Sequence, residues 1–88
     1  NLSDLGELEG RLAADPADHR ARYDLAVALA AAGKRAEAVN HLLEIIRRDR
    51  KWEEDAARKQ LLQLFDAWGA KEPLVAEGRR RLSSLLFS

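Results

Sequence analysis

Two amphipathic stretches flank Gly33, and the spacing of their apolar residues restricts residues 15–50 to a pair of antiparallel helices. Leu25, Ala26 and Leu29 precede the glycine, and Ala38 and Leu42 follow it, one and four residues apart as a helix face requires. Asp15-Pro16 reads as an N-cap followed by the first helical position, where a missing N–H costs nothing. The first of the two helices is expected to run to about Ala32. Gly33 then takes the left-handed cap conformation that side chains with a Cβ avoid. Ala26, Ala28, Ala30, Ala31 and Ala32 make this helix thin, so neighbours can approach it closely.

Three further helices complete the reading. A leading helix over Ser3 to Ala14 carries Leu5, Leu8 and Leu12 as one apolar stripe. The helix from Arg35 to Arg48 has a wide apolar face of Val39, Leu42, Leu43, Ile45 and Ile46, which predicts contact with more than one neighbour. A fourth helix is expected from Glu53 to Trp68, with Glu53, Glu54 and Asp55 opposite the positive end of its dipole. A fifth runs from Pro73 to about Leu86, burying Leu82 and Leu85. Leu86 and Phe87 could be either buried or turned to a partner. Gly33 and Gly69 fall 36 residues apart at equivalent turns. The fold class is therefore all-α, a repeating array of helical hairpins. Residues 1–14 are the last helix of a preceding unit, 15–50 one full unit, and 51–88 a second, degenerate unit with a capping helix.

Composition removes most chemical functions. Without Cys there is no disulfide, thiolate metal site or thiol nucleophile in this segment. Without Met the chain is expected to be a piece of a longer one. The 15 basic and 15 acidic residues cancel, which speaks against nucleic acid as a partner. No apolar run approaches the roughly 18 residues of a membrane span. His19 and His41 stand on different helices with no second ligand at metal-binding spacing. Ser83 and Ser84 lack a nucleophile-elbow pattern, and there is no phosphate-binding glycine motif. The runs Arg47-Arg48-Asp49-Arg50-Lys51 and Arg79-Arg80-Arg81 have no interleaved aromatics and read as solvated helix surface. No catalytic residue, cofactor or metal is expected.

The full unit resembles the tetratricopeptide repeat, whose pattern is W-x2-L-G-x2-Y, then A-x3-F, then P, over about 34 residues. Leu25, Ala26 and Leu29 occupy the L, G and Y positions, and Ala38 and Leu42 the A and F positions. Arg22 stands in place of Trp and Arg50 in place of Pro. Such repeats stack so that the first helix of each pair lines a concave face. By that alignment Arg20, Tyr23 and Val27 point into the groove, joined by Lys59 and Gln63 from the fourth helix. Repeats that clamp a terminal carboxylate place Lys and Asn at these positions. Tyr23 and Val27 depart from that and suit extended, loosely specified polypeptide. Tyr23 could equally pack against the leading helix.

Across nearly the whole chain the resemblance is narrower. DPADHRARYDLA, HLLEIIRRDR, ARKQLLQLF and RRRLSSLLF, in this order, are similar to the C-terminal region of bacterial thioredoxin-like co-chaperones of the chaperedoxin, or YbbN, type. That resemblance implies an upstream thioredoxin-fold domain and a cytoplasmic role in redox homeostasis. It also implies non-covalent binding of unfolded or extended client proteins, or of a partner chaperone. Any thiol–disulfide chemistry would belong to the upstream domain. The alternative reading is structural: a spacer that positions that domain, or a homodimerisation unit.

Overall fold

The computed structural model describes residues 4–87. They form five helices: α1 Asp4–Ala14, α2 His19–Ala31, α3 Arg35–Arg48, α4 Ala56–Trp68 and α5 Pro73–Phe87. The described residues contain no strand. α3 sits at the centre, closely approached by α2, α4 and α5, while α1 packs on the far side of α2. This is the many-sided contact that its wide apolar face predicts. Val39, Leu42, Leu43, Ile45 and Ile46 are all buried.

Two clusters divide the core. Leu25, Leu29 and Ala38 form the first, and Leu5, Leu8 and Leu12 of α1 cover it. The larger one joins Ala26 and the α3 face to Ala57, Leu61, Phe65, Val75 and Leu82. Every apolar position of the repeat pattern in 15–50 is thus buried, with Ala26 of α2 and Ala38 of α3 fully inaccessible.

The hairpin turn between α2 and α3 closes as Gly33 requires. Gly33 has φ 85°, its N–H donates to the Ala30 carbonyl (3.1 Å), and the Lys34 N–H donates to the Leu29 carbonyl (2.9 Å). These are the two bonds of a Schellman motif, which satisfies carbonyls that the helix end would otherwise leave bare. Gly69 plays a different part. It is itself the C-cap of α4, at φ 90° and ψ 155°. That conformation belongs to glycine alone.

Three helix boundaries differ from the sequence reading. α2 begins at His19, capped by Asp18, whose carboxylate accepts from the Ala21 N–H at 3.0 Å. Asp15 caps nothing. Its side chain accepts from the Ala17 N–H at 3.0 Å, a local turn that delays helix entry. α4 begins at Ala56 rather than Glu53, because Glu53, Glu54 and Asp55 all hold positive φ (49°, 56° and 65°). Those acids therefore form a left-handed turn and not the first turn of a helix. Each non-glycine residue in that region costs about 1–2 kcal/mol, so the turn is held by what flanks it. Trp52 is half-buried against the core, and the Ala56 N–H reaches back to the Trp52 carbonyl at 3.2 Å. α5 extends one residue beyond the expectation, to Phe87. Ser3, the expected first residue of the leading helix, lies outside the described residues.

Candidate functional site

α2 presents one face to α3 and leaves the opposite side to an open groove between α1 and α4. The groove encloses about 790 Å3 and is lined by Glu7, Leu8 and Arg11 of α1, by Tyr23, Asp24, Val27, Ala28 and Ala31 of α2, and by Gln60 of α4. Ala28 and Ala31 carry only methyl groups and leave its floor open. Val27 stands in it with 39% of its surface exposed, one of few large apolar side chains so placed.

Tyr23 is the groove's fixed point. Its hydroxyl donates to Gln60 Oε1 at 3.4 Å, and its ring lies 5.6 Å from that of Trp52. Trp52 meets the His19 ring edge-on at 6.0 Å. The Arg20 guanidinium lies over both Tyr23 (5.2 Å) and Trp52 (5.0 Å), and also reaches Asp24 at 3.4 Å. Cation–π contacts at exposed sites contribute about 0.5–1 kcal/mol each. Together they hold Arg20 and Tyr23 in one orientation at the groove's end.

Of the residues the sequence assigns to the groove, Tyr23 and Val27 line it and Arg20 borders it through Tyr23 and Asp24. Lys59 and Gln63 are exposed on α4, and Gln60 is the α4 residue that meets Tyr23. Sequence alignment by the 36-residue period sets Tyr23 against Lys59 and so misses Gln60 by one position. Trp52 was invisible to it as well, because a tryptophan in a turn has no place in the repeat pattern. At the other end of the chain, Leu82 is buried, Leu85 and Leu86 are half-buried against the core, and Phe87 is 85% exposed. The Leu86 carbonyl accepts from Arg50 at 3.1 Å, which ties the end of α5 to the turn after α3.

Arg22, which fills the repeat's tryptophan position, lies outside the groove lining and faces Pro16 and His41 of α3. Its guanidinium donates to the Pro16 carbonyl (3.0 Å) and contacts His41 Nδ1 (3.3 Å), while its Nε is buried with no partner among the described residues. Burial pushes the pKa of Arg22 down. Burial, and then the neighbouring Arg22 charge, push His41 below its usual value. On the outer side of α3, Glu44 accepts from both Arg47 and Arg48, which hold its carboxyl down at about 2. Among the described residues no group of His, Cys, Asp or Glu could hold a metal ion, and no helix is long and apolar enough to cross a membrane.

An all-helical array whose central hairpin buries the full repeat pattern, with an open groove along its first helix, defines a stacked-hairpin scaffold. The sequence model of the tetratricopeptide repeat matches residues 1–87, and the chain belongs to that family. No curated protein matches the chain significantly. Tetratricopeptide repeats are in general non-catalytic modules for protein–protein interaction.

Proposed function

We propose that this chain is the client- or chaperone-binding part of a thioredoxin-like co-chaperone, taking extended polypeptide non-covalently along the face of α2. The observation that carries the reading is the open groove, with Tyr23 held rigid at one end and Val27 exposed at its centre. A preset aromatic and a thin alanine floor give contact area with little side-chain ordering on binding, which favours loose sequence selectivity. The order of motifs from Asp15 to Phe87, similar to that of the chaperedoxin type, supports the narrower assignment.

The test is suppression of aggregation of a heat-unfolded client by the 88-residue chain. Tyr23→Ala and Val27→Ser should both weaken suppression at unchanged helicity. Val27→Ser matters most, because it alters a largely exposed side chain and leaves the core intact. Unchanged suppression in both variants removes the groove from the function. The exposed Phe87 ring favours a second reading, a dimerisation unit, which predicts a mass that rises with concentration and falls back in Phe87→Ser.

A further inference from the structure

We infer that the α2 groove selects polypeptide segments in which lysine or arginine alternates with small or aliphatic residues. The inference rests on the groove reading given above and adds the sign of the charge that it takes.

The lining itself shows the polarity. Glu7 and Asp24 supply two carboxylates, Arg11 is the one cation among the described lining residues, and Arg20 stands at the groove's edge. Arg11 is turned to Asp18 at 3.3 Å, so its charge is already matched. Asp24 meets Arg20 at 3.4 Å, an exposed pair four residues apart on one helix. Such pairs contribute only a few tenths of a kcal/mol. An incoming ammonium or guanidinium can therefore share Asp24 at little cost, while Arg20 keeps its contacts to Tyr23 and Trp52. From α4 the groove receives Gln60, a neutral amide that can accept from the same cation.

The surrounding charge acts in the same direction. Residues 4–33, which contain α1 and α2, hold six acidic and three basic side chains. α3 and α5 together hold the reverse, six basic and three acidic. The zero net charge of the chain thus conceals a separation between its helices. A cationic segment is drawn toward α1 and α2, and an anionic one is not. The apolar part of the groove, Leu8, Val27, Ala28 and Ala31, shares the lining with the carboxylates and suits the intervening residues. This is opposite in sign to a clamp for a peptide's terminal carboxylate, which needs cations in the groove, whereas Glu7 and Asp24 supply anions.

The experiment compares two fluorescein-labelled ten-residue peptides with the 88-residue chain by anisotropy. One alternates lysine with alanine and leucine, and the other carries glutamate in place of lysine. At about 50 mM salt the lysine peptide should bind about tenfold more tightly, with the difference shrinking toward about 500 mM as screening shortens. The double variant Glu7→Lys, Asp24→Lys should reverse the order. Equal binding of both peptides overturns the charge selectivity and leaves the groove reading intact. Binding of neither peptide overturns both. A second copy of the chain seated in the groove through its α5 arginines would show as peptide binding that weakens while the mass rises with chain concentration, and this too overturns the assignment.

Discussion

The two hairpins of this protein have the same glycine at the turn and different packing on either side of it. In α2–α3 the helices approach closely along their length, whereas α4 and α5 each lie nearer to α3 than to one another. The 36-residue offset shows why. Ala26 of α2 and Ala38 of α3, both fully buried, correspond to Leu62 and Leu74 in the second hairpin. A leucine does not fit a site that is closed around a methyl group. Leu62 is instead 38% exposed, and Leu74 lies beside the α2–α3 turn.

The second hairpin restores its packing by exchanging sizes at another pair. Leu29 and Leu42 correspond to Phe65 and Gly78. Phe65 fills the space that a second large side chain would take, and Gly78 leaves it room. A Cβ at Gly78 would sit 2.6 Å from Phe65 Cζ, inside any tolerable contact. The connection also differs. Three residues separate α2 from α3, and four separate α4 from α5, and both Gly33 and Gly69 hold positive φ, with only Gly69 being the helix C-cap itself. The contact between α4 and α5 is thus made where the Phe65 ring of α4 lies against Gly78 of α5.

Overpacking the buried alanine positions should have the largest effect. Ala26→Leu or Ala38→Leu, which copy the second hairpin's residues into the first, should each cost about 1–3 kcal/mol by urea denaturation. The reverse change Leu62→Ala should cost less than about 1 kcal/mol, since that side chain is already partly in water. Comparable losses in both directions would mean that the alanines do not set the difference in packing.

Gly78 gives the next test. Alanine in a helix interior ordinarily gains about 1 kcal/mol over glycine. Gly10→Ala on α1, where a Cβ meets nothing within 4 Å, should show that gain. Gly78→Ala should instead lose about 1–2 kcal/mol through its collision with Phe65. Adding Phe65→Leu to Gly78→Ala should cost less than the sum of the two changes, and strict additivity would deny the exchange of sizes.

The smallest effect concerns acid, which should act on the first hairpin at two points. His41 has its pKa lowered in the folded protein, so the unfolded chain takes up that proton first. Its contribution to stability falls as pH drops below the unfolded value of about 6.5. Glu44, held at about 2 against an ordinary 4.5, contributes fully above 4.5 and loses that contribution as pH falls toward about 2. The urea midpoint should therefore be lower at about pH 5.5 than at about pH 7.5. His41→Gln should reduce that difference, and an unchanged difference would place the proton uptake elsewhere.

The groove was legible in outline. Tyr23 and Val27 followed from the repeat alignment, because a helix fixes which residues share a face. Gln60, Glu7 and Asp24 did not follow, because they depend on how three helices are set against one another. Likewise the tight turn at Gly33 could be read directly, while the left-handed turn of Glu53, Glu54 and Asp55 contradicts what acids before an apolar helix usually signal.

What the sequence determined alone is whatever depends on spacing within one segment. That includes five helices, the buried α3 face, the alanine-thin α2 and the cancellation of charge over the chain. Tertiary structure decided the rest: that Trp52 would brace Tyr23 and Arg20, that Phe65 would need Gly78, and that the second hairpin would open around α3. The reason is physical. Helical periodicity is set by local sterics and hydrogen bonds, whereas the choice of partner for each apolar face is a competition among volumes that only the packed chain resolves.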